Sequence, residues 1–202
     1  MGIAIVVNGP SSVGKSTLVS GLQGRSAVPL LRFGVDELYR MVPAGWAGGE
    51  PDARHGERGF RYLPDPAHGP GARRIVNGPD AMAMLRAHHA GVLGMLRAGH
   101  HVVVDGQAYE PSLDAEFRRA LSGAAGCGVE SSVVELRASG ETLADRQARH
   151  DHPAGLALGN AARAGAFTAP DLLLDTSGLS ADTVLDRVWD RLVSRHPVLR
   201  PA

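Results

Sequence analysis

The stretch Val6-Val-Asn-Gly-Pro-Ser-Ser-Val-Gly-Lys-Ser-Thr17 decides the fold. It contains the pattern G-x-x-x-x-G-K-[ST] between an apolar run and a segment with helical spacing, which is the setting that this phosphate-binding motif requires. Glycines let backbone N–H groups turn toward phosphate oxygens, and a helix that begins near Lys15 adds the positive end of its dipole. We therefore expect a nucleotide-binding loop formed by Gly9, Ser11, Ser12, Val13, Gly14, Lys15, Ser16 and Thr17.

Lys15 is the single lysine of the chain, because the other 20 of its 21 basic residues are arginine. A compact ammonium and a planar guanidinium are not interchangeable, so this position has a requirement that arginine does not meet. In loops of this kind the lysine reaches the β- and γ-phosphates of ATP, and the following hydroxyl holds Mg²⁺. The sequence predicts these roles for Lys15 and Ser16, and a glycine-rich turn without a ligand is the alternative.

The bulk composition describes one soluble globular domain over residues 1–202. Hydrophobic residues make up 44% of the chain and charged residues 21%, with a net charge of 0. A net charge of zero produces no overall positive electrostatic field that would attract nucleic acid, and no apolar run is long enough to span a membrane. We therefore expect neither nucleic acid nor membrane as a partner. The single Cys127 cannot form an internal disulfide, which favours a cytoplasmic protein. A homo-oligomer remains open.

Short β-branched or leucine-rich runs alternate with segments of helical spacing. This alternation predicts a doubly wound α/β fold with a five-stranded parallel sheet flanked by helices, which together with the phosphate loop indicates a P-loop NTPase. The predicted strands are Ile3–Val7, Leu30–Phe33, His101–Asp105, Ser132–Leu136 and Leu172–Asp175. The predicted helices are Lys15–Leu22, Asp36–Met41, Ala81–Ala98, Leu113–Leu121, Glu141–Arg149 and Ala181–Val193.

Residues 43–80 interrupt this rhythm with many glycines and prolines, and we expect an irregular insertion there. Trp46, Phe60 and Tyr62 either stack on an aromatic substrate or pin the insertion to the body. The arginines of the insertion either meet an anionic acceptor or belong to a solvated loop. These arginines are Arg54, Arg58, Arg61, Arg73 and Arg74.

Two acids follow predicted strands at the edge of the sheet where the phosphate loop lies. Asp105 ends the run His-Val-Val-Val-Asp, and beside such a loop this acid commonly holds Mg²⁺. Asp36 follows the second strand, where it could accept the proton of an attacking hydroxyl or simply cap the next helix. The sequence pattern alone does not choose between these two readings of Asp36.

Arg146 and Arg149 lie three residues apart on a predicted helix after the fourth strand. Two guanidinium groups on one face could close over a transferring phosphoryl group and stabilise its oxygens. A solvated charged helix is the alternative. The turn Asp175–Gly178 after the last strand either borders the adenine or caps the final helix.

The chain resembles the chloramphenicol phosphotransferase family of P-loop kinases. The matching pieces are VNGPSSVGKST, FGVDEL with Met41-Val-Pro, MLRAGHHVVVDG, VVELRASGETLADRQARHD, PAGLAL and LLLDTSG, in the family's order. The resemblance implies ATP-dependent phosphorylation of a substrate hydroxyl, with Asp36 as base and a helical lid over residues 139–165 that carries Arg146 and Arg149. One departure is that Gly106 and Gln107 follow Asp105, where the family has a second acid.

We therefore expect an ATP- and Mg²⁺-dependent O-phosphotransferase that acts on a hydroxylated small molecule, such as chloramphenicol or another natural product. Asp36 and Gln107 are the predicted substrate-binding residues, and Ser16 and Asp105 the predicted metal ligands. Two other functions remain open: a nucleoside, nucleotide or nucleotide-sugar kinase, and a nucleotide-dependent binding protein without catalysis.

Overall fold

The computed structural model describes residues 2–48, 54–106, 109–149, 155–161, 163–164 and 169–201. Its main sheet has five parallel strands, as the sequence predicts, in the order β2-β6-β1-β7-β8. Strands β1, β6 and β8 are nearly continuous apolar runs, which is typical of a sheet covered on both faces. The five strands are β1 (Ile3–Asn8), β2 (Leu30–Arg32), β6 (His101–Asp105), β7 (Glu130–Arg137) and β8 (Leu172–Asp175).

Helices cover both faces of this sheet and form two hydrophobic cores. Helices α1 and α7 pack on one face around Leu18, Leu22 and Val188, and helices α3 and α4 pack on the other around Leu96 and Phe117. Within the described part of the chain, no helix is long and apolar enough to cross a membrane. The helices are α1 (Lys15–Arg25), α2 (Val35–Met41), α3 (Pro79–Arg97), α4 (Pro111–Ala124), α5 (Gly140–Gln147), α6 (Leu156–Ala161) and α7 (Ala181–Arg195).

The register of the central strands brings their carboxyl ends to one edge. Val7 on β1 lies opposite Asp105 on β6, and Arg32 on β2 lies opposite Val103. The loop after β1, the acid that ends β6 and the turn after β2 therefore meet at the same place. Ligands of open α/β sheets bind at this edge, so the fold itself places the candidate residues together.

The insertion is more regular than the sequence predicts. Its residues form a three-stranded sheet in which β4 (Phe60–Pro64) lies between β3 (Ala47–Gly48) and β5 (Arg73–Asn77). Strands β4 and β5 pair antiparallel over five residues, so the expectation of an irregular insertion is corrected here. Phe60 is fully buried and packs edge-on against Tyr39 of α2, at 4.7 Å between ring centroids.

The glycines at the two ends of the segment GLALG, Gly155 and Gly159, allow α6 to lie directly on the backbone of this small sheet. A Cβ on Gly159 would approach the carbonyl oxygen of Arg73 to 2.0 Å, and one on Gly155 would approach that of Gly71 to 2.0 Å. The amide of Arg73 also donates to the carbonyl of Gly155 at 3.0 Å. Helix α6 of the predicted lid and strand β5 of the insertion are thus joined without any side chain between them.

Candidate functional site

The loop after β1 has the backbone that phosphate binding needs. Gly14 precedes α1 with a φ of 106°, and Ser12 has a φ of 64°, which is rare for a residue with a Cβ. A side chain on Gly9 would place its Cβ 2.6 Å from the carbonyl oxygen of Leu136, so this glycine is required sterically. The hydroxyl of Ser12 is buried and has no hydrogen-bond partner in the described part of the chain. A buried unpartnered hydroxyl in such a loop suits a phosphate oxygen.

Lys15 lies inside this loop with its side chain almost entirely buried. Its Nζ donates hydrogen bonds of 3.0 Å to the carbonyl oxygens of Gly9 and Pro10. Burial lowers the pKa of Lys15, while the negative charges of Asp105 and Asp36 act to raise it. Both candidate acids therefore lie close enough to act electrostatically on the ammonium.

Ser16 and Asp105 lie together, as predicted for a pair that holds Mg²⁺. The Ser16 Oγ donates to Asp105 Oδ2 at 3.0 Å, and Arg32 Nη2 donates to the same oxygen at 2.9 Å. Burial raises the pKa of Asp105, and Lys15, Ser16 and Arg32 oppose that shift. A hydroxyl and a carboxylate are the oxygen ligands that Mg²⁺ takes when phosphates and water complete its shell. Among the described residues, no cluster of three histidine, cysteine or acidic side chains forms a separate metal site.

A cavity of about 700 Å³ opens over the loop and continues past Asp36 to the insertion. Its acceptor end is walled by Tyr39, Tyr62, Ile75 and Leu156. The predicted residues that line it are Ser11, Ser12, Val13, Gly14, Lys15, Ser16, Thr17, Asp36, Asp105, Arg146 and Arg149. The cavity therefore joins the nucleotide end and the acceptor end of the predicted site in one space.

Asp36 does not cap the helix that it enters. Helix α2 begins at Val35, and the Oε2 of Glu37 accepts the hydrogen bond from the amide of Gly34 at 2.8 Å. Glu37 therefore does the capping, and no described residue hydrogen-bonds to the carboxylate of Asp36. The geometry leaves Asp36 available to a ligand in the cavity and removes the capping alternative that the sequence left open.

Arg146 and Arg149 occupy different surroundings. The Nη1 of Arg146 donates to Val13 O at 3.0 Å and to Thr176 Oγ1 at 2.9 Å, and its Nη2 donates to Thr176 O at 2.9 Å. Arg146 thus links the phosphate loop to the turn after β8. Helix α5 ends at Gln147, so exposed Arg149 lies in the turn beyond it instead of on the predicted helix. The turn after β8 does not cap α7, because Ser180 Oγ accepts from Thr183 N at 3.1 Å.

All three tyrosines of the chain lie around the acceptor end. Burial raises the pKa of Tyr39 well above its usual value, and Tyr62, Tyr109 and Asp36 add to that shift. Sequence reasoning missed Tyr39 and Tyr109, and it also missed Arg32. The signal for Tyr39 was available, because a residue three positions after Asp36 lies on the same face of a helix.

The other residues of the insertion have mixed outcomes. Phe60 packs against Tyr39 of α2 and so pins the insertion to the body. The ring contacts of Trp46, with His55 and the guanidinium of Arg58, lie within the insertion, and Tyr62 lines the cavity. None of the five insertion arginines, all of which the structure describes, lines the cavity. Gln107, the other predicted substrate-binding residue, lies outside the described residues.

A second polar relay lies far from this site. Ser132 Oγ is 2.8 Å from His196 Nε2, and His196 Nδ1 is 2.6 Å from Glu130 Oε2. The order serine, histidine, acid is that of a hydrolase triad, but Ser132 is only 3% exposed. No substrate reaches a hydroxyl buried to that degree, so the relay fastens the end of the chain to β7.

The family assignment follows from a match to almost the whole chain. The family model described as chloramphenicol phosphotransferase-like protein matches residues 2–193. The chain belongs to the chloramphenicol phosphotransferase-like family. Comparison with curated protein sequences gives no match.

Solved structures, among them P-loop kinases, share the fold of this family member. The APS kinase CysC of Mycobacterium tuberculosis, solved with AMPPNP and APS, has a TM-score of 0.60 at 17% identity, over 95% of this chain and 97% of its own. A gluconokinase from Sinorhizobium meliloti has a TM-score of 0.57 at 17% identity, over 95% and 92%. The tunicamycin resistance protein of Deinococcus radiodurans has a TM-score of 0.54 at 20% identity, over all of both chains. Family and fold together support a small-molecule kinase.

Proposed function

We propose that the protein is an ATP-dependent O-phosphotransferase that phosphorylates a hydroxyl of a small molecule. One observation carries the proposal: Asp36 lines the same 700 Å³ cavity as the phosphate loop, and no described residue hydrogen-bonds to its carboxylate. The charge of Asp36 acts on the buried ammonium of Lys15, so the candidate base lies near the position of a bound γ-phosphate. A nucleotide sensor without an acceptor has no need for this arrangement.

The nucleotide end of the site binds ATP through its backbone and two side chains. Amides at the start of α1 and the ammonium of Lys15 face the phosphates. Arg146 holds the loop against Thr176, at the edge where the adenine would lie. Ser16 and Asp105 would hold Mg²⁺, which neutralises charge on the phosphates when it is bound. The side chain of Arg32 must leave Asp105 Oδ2, or share it, when the metal is present.

The acceptor end supplies the proton acceptor and the orientation. Asp36 takes the proton from the substrate hydroxyl as the hydroxyl oxygen forms a bond to the γ-phosphorus. The bond between that phosphorus and the bridging oxygen breaks at the same time, so that ADP leaves. Lys15 neutralises negative charge on the phosphoryl group during transfer. Arg149 is exposed at the mouth of the cavity and has no described partner, so it is the lid residue free to contact that group.

The proposed acceptor is an uncharged antibiotic such as chloramphenicol or another hydroxylated natural product. The family supports this class by its description, and the acceptor end supports it by its walls of tyrosine, isoleucine and leucine. Modification of the hydroxyl would inactivate such a compound and confer resistance. A nucleotide acceptor has less support, because the insertion arginines that favoured it lie outside the cavity lining.

Mass spectrometry tests the reaction directly. The purified protein is incubated with MgATP and a panel of chloramphenicol, other hydroxylated antibiotics, nucleosides and nucleotides. We expect one antibiotic to gain a phosphoryl group, about 80 Da, and the gain to disappear with Lys15→Ala. Transfer to a nucleoside or nucleotide instead would favour the second kinase function, and tight ATP binding without transfer to any compound would favour a binding protein.

A further inference from the structure

A small second cavity of about 60 Å³ lies beside the acceptor end of the large one. Tyr39 and Ile75 are in the walls of both cavities, so these two side chains form the partition between them. A volume of this size accommodates a few water molecules or one substituent of a bound compound. We call it the inner cavity, and it lies between the start of α4, strand β5 and helix α3.

The polar lining of the inner cavity contains two carboxylates, two carboxamides, one imidazole and two phenols. Asn77 Oδ1 is buried and has no hydrogen-bond partner among the described residues, while Asn77 Nδ2 donates to Glu110 Oε1 at 2.9 Å. Asp114 adds a second carboxylate to the lining. A buried acceptor without a donor is costly, so Asn77 provides a position for a ligand O–H or N–H group.

The opposite wall is flat and uncharged at neutral pH. His89 stacks on Phe117 with 4.2 Å between ring centroids and 14° between their planes. Burial and the neighbouring His88 lower the pKa of His89 to about 4, so its ring is neutral near pH 7. This stacked pair can pack against the carbon skeleton of a substituent whose donors face Asn77.

No arginine or lysine among the described residues lines the inner cavity. Two guanidinium groups lie near it: Arg118 Nε donates to Asp114 Oδ2 at 2.7 Å, and the charge of Arg163 acts on the phenol of Tyr109. The first already neutralises Asp114, which leaves Glu110 with an amide as its partner. An anionic group in the inner cavity would therefore face a carboxylate without a lining cation.

We propose that the inner cavity is a subsite for the acceptor, and that it takes an uncharged or cationic substituent with O–H or N–H donors and rejects an anionic one. This inference rests on the proposed function and narrows its substrate class. It predicts that phosphate, sulfate and carboxylate groups are excluded from the substituent that enters past Tyr39 and Ile75. Hydroxymethyl, amino and carboxamide groups satisfy Asn77 Oδ1 and fit the volume.

The test measures binding by calorimetry in the presence of a non-hydrolysable ATP analogue, so it does not depend on phosphate transfer. Its probes are three pairs, each of a neutral compound and an anionic derivative of it: chloramphenicol and its succinate ester, adenosine and AMP, and glucose and gluconate. We expect the wild-type protein to bind a neutral member at least about tenfold more tightly than its anionic counterpart. Equal or tighter binding of the anionic members, or no binding of any neutral member, would overturn the subsite.

Two variants test whether the inner cavity causes the difference in affinity between neutral and anionic probes. Glu110→Gln removes the charge but retains an oxygen for Asn77, and we expect it to reduce the difference within the pair by about tenfold. Leu85→Phe fills the inner cavity and should weaken the neutral probe without changing ATP affinity. Glu116→Gln, on the outer side of α4, is the matched control and should change neither value. A difference that Glu110→Gln leaves intact contradicts the proposal, even if Leu85→Phe does not fold.

The two proposals can fail separately. If discrimination against anions depends on Glu110 but no compound is phosphorylated with MgATP, the proposed subsite is supported and the proposed phosphotransferase activity is refuted. If a neutral compound is phosphorylated while Glu110→Gln and Leu85→Phe leave its binding unchanged, the proposed activity is supported and the proposed subsite is refuted.

Discussion

Arg32 Nη2 lies 2.9 Å from Asp105 Oδ2, the same oxygen that accepts the hydrogen bond of Ser16. The guanidinium of Arg32 thus binds the carboxylate oxygen that would hold the metal. It also reaches Glu37, with 3.5 Å between Arg32 Nε and Glu37 Oε1. The positive charge that Mg²⁺ would bring to Asp105 is supplied from β2 in its place.

Replacement of Arg32 by leucine should strengthen metal binding. Without the guanidinium, Mg²⁺ has no competitor for Asp105 Oδ2, so we expect the Mg²⁺ midpoint for nucleotide binding to fall by roughly tenfold, as for a screened charge pair. Asp105→Asn should raise the midpoint by at least as much. Titration of Mg²⁺ against a fluorescent ATP analogue measures both values, and an unchanged midpoint in Arg32→Leu would refute the competition.

The sequence predicted the main sheet well because each central strand is a buried run that needs little context. It missed the small sheet, since β4 and β5 are short, rich in arginine and separated by glycines and prolines, and their pairing depends on contacts with α2 and α6. For Asp36 the sequence pattern left two readings open, a catalytic base or a helix cap. The hydrogen bond from Gly34 to Glu37 removes the cap, and the role of base stays a prediction.

Adjacent carboxylates allow a sharp test of the base. Asp36→Asn should lower kcat by about 10²- to 10⁴-fold, because general base catalysis contributes that much, and it should leave ATP affinity intact. Steady-state kinetics and calorimetry measure the two quantities. Glu37→Gln is the matched control: it weakens the start of α2 and should lower stability by about 1 kcal/mol while chemistry is largely retained. Equal losses of kcat in both variants would remove Asp36 from the role of base.

Lys15→Arg should be almost as inactive as Lys15→Ala. The ammonium fits between two carbonyl oxygens in a buried loop, where a planar guanidinium has neither the space nor the same donor directions. We expect both variants to lose at least about 100-fold in kcat/KM, on the scale of one removed electrostatic contact. Retention of activity by the arginine variant would show that the charge alone is sufficient.

Acid should destabilise the protein through His89. Its pKa is about 4 in the folded protein, below the ordinary value of 6.5, so the unfolded chain binds the proton more readily. The contribution is fully present above pH 6.5 and falls as the pH decreases toward 4, by up to about 3 kcal/mol. His89→Phe retains the stacking on Phe117 and should flatten this part of the curve, whereas His100→Gln, at an exposed position, should not. Urea unfolding at several pH values measures the slopes.

The contact between α6 and β5 should be sensitive to a single methyl group. Gly159→Ala places a Cβ against the carbonyl of Arg73, so the two elements must separate, and we expect a loss of about 1–3 kcal/mol together with a higher acceptor KM. Gly94→Ala is the control, because a Cβ there meets nothing within 4 Å and α3 should gain up to about 1 kcal/mol. Denaturant unfolding and acceptor kinetics test both, and an unaltered KM in Gly159→Ala would show that the contact does not shape the acceptor end.

The solitary lysine also makes the phosphate loop chemically addressable. Apart from the amino terminus, Lys15 carries the one primary amine of the sequence, and burial lowers its pKa, which increases the fraction of the free base. An amine-directed acylating reagent built on adenine nucleotide would therefore mark a single side chain. In the purified protein, the yield of that label would report loop occupancy without knowledge of the acceptor.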